Sequence, residues 1–204
     1  FDTGAADLTP FFTWHPWLYL LFMPALAMRL WAEESLSGTQ ELLLSLPVSL
    51  PGLVIGKLLA AWSVAGLALV LTFPWWISVN YLGPADNSSI ALSYAMSWIM
   101  AGAYLSLGSM MSALTRSAVI AFVLGVLGAF ALTAAGWPVV TTPVAQLFGL
   151  SAAETLAAFS FLTHFETAQR GVLEVGSLFY FLSVISLMIA LNTILVLYRR
   201  RSGR

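Results

Sequence analysis

Five stretches of this chain, approximately residues 14–32, 56–80, 90–114, 117–136 and 176–198, are apolar for about 20 residues or more, the length a helix needs to cross a bilayer core of roughly 30 Å. Backbone N–H and C=O groups in that core find no water, so such runs fold as helices that satisfy them internally. With 60% hydrophobic and 8% charged residues, against about 25% charged in soluble domains, the rest of the chain cannot outweigh them. The fold class read from the sequence is an all-α integral membrane protein, one transmembrane domain over residues 1–204. Net charge of -1 gives nucleic acid nothing to recognise, and the absence of cysteine removes disulfides, thiol catalysis and cysteine-based zinc sites.

Orientation follows from the cations. With residues 1–13 outside, the inner side receives Arg29, Lys57, Arg116, Arg199, Arg200, Arg201 and Arg204, and only Arg170 is outside. The C-terminus is then cytoplasmic and the cations are inner-surface anchors. A charged segment starting outside implies a further transmembrane helix upstream of Phe1, with a cleaved signal peptide as the competing account. No span carries an ionisable side chain near its centre, which argues against a proton or ion relay.

Between the first two spans lies RLWAEESLSGTQELLLSLPVSLPGLVIGK, residues 29–57. Read as a helix over 33–46, it puts Leu36, Leu42, Leu43 and Leu46 on one face and Glu33, Glu34, Ser37, Gly38 and Glu41 on the other. Leu44 breaks the pattern by standing on the acidic face, where a protein surface would receive it. An interfacial lipid helix carries cations rather than carboxylates, so the partner expected here is a basic protein. Pro47 and Pro51 end the helix, and Gly52 and Gly56 restart the chain. A plain connecting loop is the alternative.

Elsewhere, His15 reads as an interfacial side chain among Trp14, Pro16 and Trp17, and Pro74 as a kink near the outer end of the second span. Gly102, Ser106, Gly108, Ser109 and Ser112 permit close helix contacts. The outer segment 137–175 reads as short re-entrant or surface helices, with Ser151 and Glu154 as a capping box and Glu166 paired with Arg170 at i,i+4. His164, Glu166 and Glu174 are poorly spaced for a metal, and a structural role is the better reading. Gly56-Lys57 lacks the spacing, the Ser or Thr and the strand of a phosphate-binding loop. Glu33-Glu34 lacks the arginine of a Glu-Glu-x-x-x-Arg intramembrane protease, because position 38 is glycine.

Residues 28–57, through Arg29, Ala32-Glu33-Glu34, Gly38-Thr39, Glu41, Leu43, Pro47 and Gly56-Lys57, resemble the signature of the type-2 ABC exporter permeases. THFETAQRGVLEVGSLFYFLS, residues 163–183, is similar to the corresponding stretch of the gliding-motility branch, through His164, Phe165, Glu166, Arg170, Gly171, Tyr180 and Phe181. The resemblance implies a permease subunit of six membrane helices, the first lying upstream, with a cytoplasmic coupling helix at 33–46. It implies that the chain binds no cofactor and is not itself an enzyme, ATP and magnesium residing on a dimer of separate cytoplasmic ATPase subunits. It also implies a second permease copy or homologous membrane subunit, an accessory protein on the outer side, and residence in a bacterial inner membrane. Contact with the ATPase would fall to Glu33, Glu34, Ser37, Gly38, Glu41, Leu44 and Pro47. Ser35-Leu36-Ser37 departs from the family by lacking its usual basic residues. A non-transporting scaffold that passes force to an outer partner is the alternative function, and an ion-coupled carrier the more distant one.

Overall fold

A computed structural model describes residues 7–39, 43 and 47–202. Among them the regular structure is all helical: α1 Thr9–Thr13, α2 His15–Ala27, α3 Arg29–Ser37, α4 Leu50–Val70, α5 Phe73–Leu82, α6 Asn87–Leu114, α7 Ala118–Ala134, α8 Pro138–Phe148, α9 Leu150–Ala157, α10 Phe161–Gln169 and α11 Val175–Ser202. By length and apolarity three helical stretches among the described residues can cross a membrane, namely Leu50–Leu82, Asn87–Leu114 and Val175–Arg199. A fourth exists if α7 and α8, bent by 64° at their junction, are taken as one broken span.

The bundle is built around α6, against which α2, α4, α7, α10 and α11 all pack. Small residues make this possible, since packing between helices in lipid rests on close contact rather than on expulsion of water. A Cβ on Gly108 would lie 2.8 Å from Ala27 Cβ and 3.3 Å from Pro24 Cα, and one on Gly125 would lie 3.0 Å from Pro24 Cβ. Pro24 of α2 is thus wedged between two glycines, one on α6 and one on α7. Replacing Gly108 by valine is expected to force these backbones apart at a cost of roughly 1–3 kcal/mol. Gly56, on the exposed side of α4 with nothing within 4 Å of its Cβ position, is the control. Its change to alanine should leave stability equal or raise it by about 0.5–1 kcal/mol. Thermal unfolding of the purified protein, followed by tryptophan fluorescence, checks both.

The structure moves several expected boundaries. The first expected span, 14–32, is divided at Met28, leaving α2 with 13 residues, too short to cross alone. The expected 33–46 helix begins at Arg29 and stops at Ser37, because Gly38 adopts φ 76°, the left-handed geometry that ends helices. Gln40–Leu42 and Leu44–Leu46 lie outside the described residues, and with them Glu41 and Leu44. Pro51 starts a helix rather than ending one: it sits in the first turn of α4, where a missing N–H costs nothing. Pro74 likewise occupies the first turn of α5, after a break at Leu71-Thr72.

At the opposite end, Asp86 caps α6, its side chain accepting from Ser88 N and Ser89 N. Those bonds and the Ser89 hydroxyl hold its carboxyl below the usual aspartate range. The capping box expected at Ser151 is absent, because Gly149, at φ 90°, precedes a helix that already includes Leu150 and Ser151.

Candidate functional site

The polar groups that sequence reading scattered over 29–57 and the apolar helices converge at one end of the bundle. Lys57, Arg116, Arg199 and Arg29 all lie at this basic end, while Arg170 is at the other, where Gly171 approaches Ser89 and Asp86.

The local cause is the break at Met28. A helix start leaves N–H groups without partners, and a Ser or Thr at the N-cap position normally satisfies them. Here the N-cap is Met28, which cannot. Ser112, 84 residues further along on α6, takes over: its Oγ accepts from Trp31 N and Ala32 N, both at 3.1 Å, and donates to Met28 O at 2.7 Å. One hydroxyl thus caps α3 and holds the end of α2.

Trp31 is fully buried and packs with Val54, Ala113 and Val196, one from each of α4, α6 and α11. Its Nε1–H donates to Ser109 Oγ at 3.2 Å, and Asn192 Nδ2 donates to the same oxygen at 2.8 Å. Lys57 completes the joint from α4. Its Nζ donates to Leu30 O at 2.7 Å, pairs with the Glu34 carboxylate, and stands 4.5 Å above the Trp31 ring. Arg199 Nη1 reaches Ser35 Oγ at 3.2 Å from α11. Helix α3 is therefore held to three spanning helices through charge, capping and a buried indole at once. Two buried atoms in the joint, Glu34 Oε2 and Asn192 Oδ1, have no hydrogen-bond partner among the described residues.

Of the residues singled out from sequence, Glu34, Lys57 and Arg199 come together here. Glu33 faces outward, with only a long 4.0 Å approach from Arg29. Ser37 Oγ bonds Thr39 Oγ1 at 2.8 Å beside Gly38, and Pro47 is exposed. Arg116 is exposed on the α6–α7 turn, and Arg200 and Arg201 continue the backbone of α11. Trp31, Ser109, Ser112 and Asn192 were not assigned to this site from the sequence. The usable signal was their polarity inside or beside apolar helices, where polar groups need partners.

The segment His164–Gly171 lies at the other end. His164 Nε2 sits 3.0 Å from Ala158 O, so that nitrogen carries the proton, while Nδ1 is 3.0 Å from Ser177 Oγ and the ring stacks on Tyr180 at 4.1 Å. Phe165 is fully buried, Glu166 and Arg170 are exposed, and Gly171 turns the chain at φ 72°. The expected Glu166–Arg170 pair does not form, because α10 ends at Gln169 and Arg170 leaves the helical register. His15 is also corrected: it is 4% exposed rather than interfacial, with Nδ1 2.8 Å from Ser97 Oγ, which Tyr19 OH approaches at the same distance. Among the described residues no three His, Asp or Glu side chains gather as metal ligands.

Residues 19–200 match the family model described as ABC-2 family transporter protein. No curated protein and no solved structure matches the chain.

Proposed function

Because this chain belongs to the ABC-2 family of transporter proteins, the multi-pass membrane component of an ABC transporter, we propose that α3 is where it receives mechanical work from a separate cytoplasmic ATPase. The observation that carries the reading is the joint itself. A helix that only connected two spans would need no buried indole, borrowed cap and ion pair to fix it to three others.

In this account the basic end faces the cytoplasm of a bacterial cell, as the excess of Lys and Arg there supports. Closure of an ATPase dimer on ATP and magnesium, both bound by the partner, pushes on the outward face of α3. That face carries Glu33, Ser37 and Leu36, the last 74% exposed. Glu41, Leu44 and Pro47 are assigned to the ATPase contact as well, from their place in the sequence motif. The push passes through Trp31 and Ser112 to α6, through Lys57 to α4, and through Ser109 and Asn192 to α11. A second copy or a homologous membrane subunit completes the pathway, and the work exports a cargo. The His164–Gly171 segment supports placing the chain near the gliding-motility branch, with an accessory protein meeting the outer end.

Replacing Leu44 by aspartate, or Glu41 by lysine, is expected to abolish co-purification of the ATPase while leaving the permease folded and membrane-inserted. Recovery of the ATPase at unchanged stoichiometry with both variants would place the contact elsewhere.

A further inference from the structure

The corner where α10 hands over to α11, at the end of the bundle opposite the joint, holds a hydrogen-bond chain that a neutral histidine leaves one hydrogen short. His164 Nε2 is 3.0 Å from Ala158 O, which can only accept, so this nitrogen carries a hydrogen in either charge state. On the other side of the ring, Nδ1 is 3.0 Å from Ser177 Oγ, and Ser177 Oγ is 3.2 Å from Glu174 Oε2. Thr167 Oγ1, 3.4 Å from the same serine oxygen, brings no hydrogen to it, because its own is donated to His164 O at 3.0 Å. Ser177 is 1% exposed, which closes its hydroxyl to solvent.

A serine hydroxyl has one hydrogen, and with a neutral imidazole that hydrogen serves Nδ1 or the carboxylate but not both. The acceptor passed over then faces a lone pair of the serine oxygen at contact distance. One more proton completes the chain: Nδ1–H donates to Ser177 Oγ, and Ser177 O–H donates to the Glu174 carboxylate. Placing the extra proton on Glu174 and reversing both donors completes it equally, so the proton belongs to the chain rather than to one residue. Tyr180, pinned by donation of its OH to Phe159 O at 2.5 Å, stacks on the imidazole at 4.1 Å and offers its ring face to a positive charge.

The other ionisable groups around the ring stand apart from this chain. Glu166 and Arg170 on α10 and Glu154 on α9 are exposed, and α1 and α7, which also pack on α10, carry none. On α6, Tyr104 packs on Phe161, and Asp86 lies beyond Gly171 with its carboxylate bound to Ser88 N, Ser89 N and the Ser89 hydroxyl. Glu174 is also where α11 begins, since Ser177 N and Leu178 N both donate to its carbonyl, at 3.0 and 3.3 Å.

We propose that this corner is a proton-operated latch: uptake of one proton by the His164–Ser177–Glu174 chain ties the head of α11 to α10, and its loss frees Glu174 and loosens residues 170–174. That connection carries Val172 and Leu173, 58% and 57% exposed, so the latch sets how firmly an apolar knuckle is presented at this end of the bundle. The device needs no contact at α3, and its failure would leave the joint there untouched.

The test uses a spin label on Val172→Cys, in a chain with no cysteine of its own, with the assembled complex in lipid vesicles and the same pH on both faces. Label mobility is followed over roughly pH 5 to 8, the range in which histidine side chains ordinarily change charge. The ratio of held to released label is expected to fall about tenfold from the acid to the alkaline end, the weight of one charge-assisted hydrogen bond. Ser177→Ala, which breaks the chain and keeps a small side chain at the buried position, should leave the label mobile throughout. Glu174→Gln, at an exposed position, supplies an amide N–H to Ser177 Oγ in place of the extra proton, so its label should stay held at every pH. A wild-type label indifferent to pH, or a pH transition that survives in either variant, overturns the proposal.

Discussion

Replacing Ser112 by valine is expected to detach α3 from the bundle. Valine has the shape of threonine but lacks the oxygen that accepts from Trp31 N and Ala32 N and donates to Met28 O. Two buried N–H groups and a carbonyl would then lack partners, a loss on the order of 2–5 kcal/mol. Most of it should appear as a lower unfolding temperature and as protease cleavage near residues 28–38. Threonine at the same position retains the hydroxyl and should behave nearly as wild type. A valine variant as stable as the threonine variant would show that the borrowed cap does not hold the joint.

Lys57→Met is expected to separate nucleotide hydrolysis from movement of the membrane helices. Methionine retains much of the apolar stem but leaves the Glu34 carboxylate, which already has one unpartnered oxygen, without its cation. Losing one partner of a partly buried pair is expected to cost roughly 2–3 kcal/mol, less than the cost in a dry interior. The complex should still bind its ATPase, since the outward face of α3 is unchanged, while ATP-driven motion of α4 falls sharply. Replacing Glu34 by leucine as well removes the stranded charge, so the double variant should regain stability without regaining motion. If instead it regained both, the pair would act only as a structural staple.

The apolar runs were legible because membrane depth imposes a single length and composition on any helix that crosses it. Three of the five runs became helices able to cross unaided, and their ends shifted for local reasons such as Pro51, which serves as a helix start. The break at Met28 was not legible. Nothing in the apolar periodicity of 14–32 marks it, and the hydroxyl that satisfies the freed groups is 84 residues away. The amphipathic reading of 33–46 assumed one continuous helix and passed over Gly38, whose left-handed backbone ends it. Lys57 was recognised from its charge and its position at a membrane end, yet its pairing with Glu34 depends on how α3 folds back across α4. Polar residues on apolar helices carried the remaining signal. Ser109 read only as a small residue for close packing, whereas in the fold its Oγ accepts from both the Trp31 indole and Asn192 Nδ2.

Because the chain contains no cysteine, a pair of introduced ones can be spin-labelled without background. The direct test places labels at Leu36 on α3 and Tyr81 at the far end of α5, both strongly exposed, at 74% and 91%. Pulsed distance measurements on the assembled complex, with and without a non-hydrolysable ATP analogue, then report whether the two ends move together. The account predicts that α3 shifts relative to the ATPase and that the Leu36–Tyr81 distance keeps a narrow distribution, which broadens in Lys57→Met. A wild-type complex in which nucleotide displaces α3 while α4 and α5 stay still, so that this distance changes freely, would contradict it.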